Sequence, residues 1–131
     1  MKGSKPLRKQ LNVQAIELQP YTFILNENEL NEQVTASKQV IVDSDDFAFI
    51  YLLDSGEGYY YLRIQPELWG MLAQGIIQQK DPVAISGENT LTLTQFNEEL
   101  EALLFNIEGN GNYGEAFVEE VERVFAAILQ A

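Results

Sequence analysis

The chain has 131 residues, 46% apolar and 21% charged, which suits one domain with one core and argues against wholesale disorder. It contains no Cys and no His, which excludes disulfides, thiolate nucleophiles, imidazole bases and the usual zinc ligands. Net charge is −12 and uneven: Lys2, Lys5, Arg8 and Lys9 stand among the first ten residues, while all twenty acidic residues follow Gln10.

Such an acidic body repels nucleic acid and anionic membrane surfaces and attracts cations or a basic partner. Its longest apolar runs fall far short of a membrane span. No apolar stretch follows the basic N-terminus as a secretion signal requires, so a cytoplasmic protein is expected.

In chain order, residues 1–10 read as a mobile basic tail, and residues 11–131 as a single α+β domain. Leu11 to Leu18 alternates, with a phase change after Ala15, and reads as one strand. Gln19-Pro20 breaks it, Tyr21 to Leu25 forms a second strand, and Asn26 to Glu29 is a polar turn. Leu30 to Ser37 has no assignable period. Lys38 to Val42 reads as a short strand, and Asp43-Ser44-Asp45-Asp46 as a turn.

Phe47 to Ile64 carries the strongest signal, two apolar runs around Asp54-Ser55-Gly56-Glu57-Gly58, a β-hairpin. Its first strand is apolar on both faces and belongs inside a sheet. In its second, Tyr60, Leu62 and Ile64 point one way and Tyr59, Tyr61 and Arg63 the other.

Pro66 opens a helix with Leu68, Leu72 and Ile76 as its stripe, widened by Trp69, Ala73 and Ile77. Asp81-Pro82 ends it. Val83 to Ile85 and Thr90 to Leu93 make a second hairpin. Thr94 caps a helix with Phe96, Leu100, Leu103, Leu104 and Ile107 on one side, and Gly109 supplies its left-handed end. Asn112 with Glu115 caps a last helix striped by Phe117, Val121, Val124, Phe125 and Ile128. The fold class is therefore α+β: a mainly antiparallel sheet, one inserted helix and a C-terminal pair of helices.

Three clusters carry candidate chemistry. Asp43, Asp45 and Asp46 offer the hard oxygen ligands that Mg²⁺ or Ca²⁺ prefers, although Asp and Ser also simply make turns. Gly109, Gly111, Asn112 and Gly114 lie ahead of a helix, where a backbone nest can take an anion; the flanking Glu108 and Glu115 repel phosphate, and a tight helix–helix connection explains the same residues. Tyr59, Tyr61 and Arg63 are residue types enriched in interfaces. Glu119 and Glu122 belong to an acidic helical surface suited either to solvent or to a basic protein.

The run Val42-Asp43-Ser44-Asp45, the hairpin ending near Leu62, Leu68-Trp69-Gly70, and above all Asn106-Ile107-Glu108-Gly109-Asn110-Gly111-Asn112-Tyr113-Gly114-Glu115 resemble the uncharacterised YjbL-like family of small acidic proteins of Bacillus-type Firmicutes. The likeness runs from about Ser37 to the C-terminus. It implies a bacterial cytoplasmic protein and carries over no activity and no catalytic residue.

With no nucleophile–base pair in view, the leading expectation is a non-enzymatic protein-interaction or regulatory domain, without a cofactor, that binds a basic protein partner and neither nucleic acid nor membrane. The alternatives are a Mg²⁺-dependent phosphoesterase-type enzyme using Asp43, Asp45 and Asp46, and a homodimer.

Overall fold

A computed structural model describes the backbone of residues 7–131 and the side chains from Lys9 onward. The strands are β1 (Leu7–Asn12), β2 (Ala15–Leu18), β3 (Tyr21–Ile24), β4 (Thr35–Asp43), β5 (Ala48–Asp54), β6 (Gly58–Ile64), β7 (Val83–Ser86) and β8 (Asn89–Thr92). The helices are α1 (Trp69–Ile77), α2 (Phe96–Ile107), α3 (Glu115–Val124) and the short α4 (Ala126–Leu129).

The strands form two four-stranded sheets, ordered β1-β6-β5-β4 and β2-β3-β7-β8. The α+β class holds, but neither sheet is purely antiparallel. β1 runs parallel to β6, with Leu11 opposite Leu62, and β3 runs parallel to β7. Parallel neighbours need a long intervening connection: β2 to β5 lie between β1 and β6, and β4 to β6 with α1 lie between β3 and β7. The period of a strand reports which of its faces is buried, not which strand it pairs with.

Two strand boundaries differ from the sequence reading for one physical reason. Leu11 to Leu18 is not one strand: the chain leaves the first sheet at Asn12 and enters the second at Ala15. Val13 N–H donates to Arg63 O at 3.0 Å and Gln14 N–H to Ile24 O at 2.8 Å, so adjacent residues bond to different sheets. The phase change in the sequence marks this crossing. The first strand also starts at Leu7, four residues inside the stretch assigned to a tail; residues 1–6 lie outside the described residues.

β4 is longer than the expected Lys38–Val42 strand. Its register shifts between Ala36 and Val40, where Lys38 takes a left-handed φ of 67°. That bulge breaks the alternation and hides the start of the strand in the sequence.

The hairpin β5–β6 lies at the centre, with Leu52 opposite Tyr61 and Ile50 opposite Arg63. The inner-facing Phe49, Tyr51, Leu53, Leu62 and Ile64 are buried beneath the helices. Trp69 anchors this layer. Its ring lies 4.9 Å from Phe49, 5.8 Å from Phe117 and 6.0 Å from Phe125, and its Nε1–H donates to Ile64 O at 3.2 Å. Burying rings of this size supplies much of the apolar driving force. Ile77, read as part of the α1 stripe, is instead 66% exposed, because the buried side follows Trp69, Leu72 and Ile76.

Neither expected helix cap is the one observed. The residue before α2 is Gln95, and the carboxylate that accepts from its N–H (2.9 Å) and from Asn97 N–H (3.2 Å) belongs to Asp81, in the α1–β7 connection. Gly114, not Asn112, precedes α3, and Asn110 caps the 3-10 turn Gly111–Tyr113 by accepting from Asn112 N–H at 3.0 Å.

Candidate functional site

Alternation along β5 and β6 places two sets of side chains on opposite faces of the first sheet. The inner set meets the helices. The outer set is Ala48, Ile50 and Leu52 on β5 with Tyr59, Tyr61 and Arg63 on β6, joined by Ile41 and Asp43, which stand opposite Ile50 and Ala48 on β4. Ala48, Ile50, Leu52 and Tyr61 form a small apolar cluster of their own, to which no helix residue contributes. Tyr59 is 42% exposed and Ile41 is 37% exposed. The C-terminal helices therefore do not claim this face.

Arg63 sits at one end of it. Its Nη2 donates to Asp43 Oδ2 at 3.2 Å and to Asp46 Oδ2 at 3.3 Å, and Nη1 donates to Gln10 Oε1 at 3.4 Å. Asp46 N–H donates to Asp43 Oδ1 at 3.2 Å, which closes the turn. The three-carboxylate cluster is thus divided: Asp43 and Asp46 hold the guanidinium, and Asp45 stays exposed. Among the described residues no group of three or more acidic side chains is placed to hold a metal ion.

The same turn ends in Phe47, whose φ of 53° is unusual for a bulky residue. Its ring stacks on Trp69 at 6.4 Å and meets Phe117 edge-on at 5.4 Å. One short turn therefore grips Arg63 on the outer face and inserts an aromatic ring into the inner one.

The glycine-rich connection between α2 and α3 already holds an anion belonging to the chain. Gly109, with φ 69°, donates its N–H to Glu122 Oε2 at 2.8 Å. Gly111, Asn112 and Gly114 complete the connection, with Asn106 Nδ2 donating to the Tyr113 hydroxyl at 3.3 Å. Glu122 thus ties the connection to α3, while Glu119 is exposed on the same helix. Phe117 directs α3 onto the inner face, so Glu119 and Glu122 lie across the sheet from Tyr59, Tyr61 and Arg63. The two halves of the expected partner surface are not brought together.

Two features lay outside the sequence reading. A cavity of about 330 Å³ lies where α1 ends and α2 begins, lined by Gln79, Asp81, Gln95, Asn97, Glu98 and Glu101 above Ile76. Beneath it Asn97 Nδ2 donates to Gly75 O and Lys80 O, and both Asn97 Oδ1 and the Tyr21 hydroxyl are buried with no partner among the described residues. Burial raises the Tyr21 phenol above its ordinary value, and the Asp81 charge adds to the shift. Asp81 was legible only as a helix stop. The second feature is Tyr51, whose hydroxyl donates to Thr94 O at 2.7 Å and accepts from Lys38 N–H at 3.2 Å. Burial pushes its phenol up to about 12, against the Lys38 N–H, which favours the phenolate.

Comparison with known proteins gives the lineage. A family model described as a family of unknown function, UPF0738, matches residues 10–125. The chain is similar to a UPF0738 protein of Lysinibacillus sphaericus, 51% identical over 82% of this chain and 84% of that one. It is 44% identical to the UPF0738 protein YjbL of Bacillus subtilis, over 68% of this chain and 73% of the relative. A UPF0738 protein of Shouchella clausii is 38% identical over 89% of this chain and 99% of its own. No solved structure matches the chain. Among the described residues no helix is long and apolar enough to cross a membrane.

Proposed function

The chain belongs to the UPF0738 family, a family of unknown function, and from that premise we propose that it is a non-enzymatic protein-interaction domain whose partner docks on the outer face of the first sheet. The observation that carries this reading is a sheet face whose apolar cluster takes no helix residue: Ile41 on β4 and Tyr59 on β6 stand exposed on either side of the buried Ala48, Ile50 and Leu52 of β5, with Tyr61 and Arg63 on the same face. Ile41 and Tyr59 are two of the four large apolar side chains exposed among the described residues, and Tyr and Arg are the residue types that interfaces favour.

A second copy on the same face would bring two chains of −12 charge together, which opposes a homodimer through long-range repulsion. The test immobilises the chain against cell extract from one of the relatives named above. A protein retained by the wild type and by a Glu119→Lys variant, but lost with Ile41→Lys and Tyr59→Lys, supports the reading. Retention of nothing at low and high salt, or equal retention by all variants, overturns it. Light scattering that finds a dimer dispersed by Tyr59→Lys replaces the partner with a second copy.

A further inference from the structure

We infer that the Asn110–Gly111 peptide, in the connection between α2 and α3, is a site of spontaneous covalent modification: deamidation of Asn110 through a cyclic imide. The reaction needs no enzyme and no reactant but water. The Gly111 amide nitrogen loses its proton to solvent and bonds to Asn110 Cγ. The Cγ–Nδ2 bond breaks, and ammonia takes up a proton as it leaves. Water then opens the imide at either carbonyl. One opening gives aspartate; the other gives isoaspartate, in which the main chain runs through the former side chain. No oxidation state changes.

The chain offers this step one favoured place. Asn110 is the only Asn that Gly follows. Elsewhere Asn precedes Val13, Thr90, Ile107, Tyr113 or a glutamate, whose side chains shield the attacking nitrogen. Gly111 has no Cβ, and nothing lies within 4 Å of where one would stand.

The fold leaves this peptide poised. Asn110 Oδ1 accepts from Asn112 N–H at 3.0 Å. That turn carries the side-chain amide back over the following peptide, and the Gly111 nitrogen belongs to the ring it closes. The same N–H faces the negative charge that develops on Oδ1 as Cγ becomes tetrahedral. Among the described residues the Gly111 N–H has no acceptor, so its proton leaves without breaking a hydrogen bond. Gly111 is exposed to water. The leaving Nδ2 has one long contact, to Asn106 O at 3.3 Å. Asn97 is the opposite case: it is buried in α2, and its Nδ2 is held by Gly75 O and Lys80 O.

Either product loosens the tie between the two helices. Aspartate at 110 still accepts from Asn112 N–H, but it no longer donates to Asn106 O, and it adds negative charge beside the Gly109 N–H that holds Glu122. Isoaspartate further turns the Asn110 carbonyl that accepts from Tyr113 N–H into a free carboxylate.

The experiment incubates the full chain at mildly alkaline pH, native and in urea, and follows every Asn by peptide mass spectrometry. Isoaspartate separates from aspartate as a second peptide of equal mass. The expected result is that Asn110 converts first, and as fast in the native chain as in the unfolded one. Gly111→Ala, whose methyl meets nothing, should slow the conversion several-fold without loss of stability. Conversion markedly slower in the native chain than in urea, another Asn converting first, or an unchanged rate in Gly111→Ala overturns the inference. Asn110→Asp, which stands for one product, and the aged chain that contains the other should both exchange the Gly109 amide faster. Unchanged exchange at Gly109 in both overturns the loosening.

Discussion

Gly75 lies in the middle of α1 with the Tyr21 ring directly over it, and a Cβ built at that position would overlap the ring. Nearby Gly70 is exposed with open space around it. The same substitution should therefore act in opposite directions. Gly70→Ala removes backbone freedom from the unfolded chain and should stabilise by about 0.5–1 kcal/mol. Gly75→Ala gains the same propensity but forces the ring aside, a kind of overpacking that costs about 1–3 kcal/mol, and should destabilise. Urea denaturation of both variants checks this; equal effects would show that the ring is free to move. Sequence alone shows two glycines weakening one helix. It does not show that a tyrosine some fifty residues earlier requires one of them.

At the scale of elements, the hairpin, the helix after Pro66 and the two C-terminal helices were legible, because each writes a clear period of two or of 3.6 into the chain. What the sequence hid is how elements are joined. The α2 terminus is satisfied by Asp81, which lies fourteen residues before Gln95 and on no local capping pattern. Replacing Asp81 with Ala leaves the Gln95 and Asn97 N–H groups without their acceptor, and should cost about 1 kcal/mol, within the 0.5–2 range of a lost cap. The loss should concentrate in faster amide exchange in the first turn of α2. A variant whose α2 exchange is unchanged would show that water replaces the carboxylate at no cost. Glu122 at Gly109 follows the same logic at the other end: a motif that reads as a nest for a foreign anion is filled by a carboxylate from the next helix. The candidate sites were thus legible as residue types, while their partners, Arg63 for Asp43 and Asp46 and Gly109 for Glu122, depended on which strands and helices become neighbours.

For the molecule as a whole, the Asn12–Ala15 crossing makes the two sheets one unit. Leu11 and Val13 are buried on either side of Asn12, and Ile16 follows on β2, so one continuous segment contributes core residues to both sheets. Leu11→Ala should cost about 2–5 kcal/mol, as large-to-small core changes do. Its loss should appear as reduced amide protection in β6 and in β3 together. Reduced protection confined to β6 would mean that the sheets open independently. The uncovered outer face sits outside this coupling, because its cluster of Ala48, Ile50, Leu52 and Tyr61 is separate from the main core. Substitutions at the exposed Ile41 and Tyr59 can therefore probe binding with little change in stability.

The parallel pairing of β1 with β6 also sets a waiting time during synthesis. Leu7 to Asn12 is made first, yet its partner residues, Gly58 to Arg63, follow about fifty residues later. At typical elongation rates that is roughly 3–10 s in which the segment has no strand to join. A strand-forming segment with Leu7 and Leu11 uncovered in that state can pair with other nascent chains. Arg8 and Lys9, on a strand that ends at the sheet edge, are the kind of charge that blocks such pairing. Charge at Arg8 and Lys9 thus bears on the chain before the fold exists as well as after.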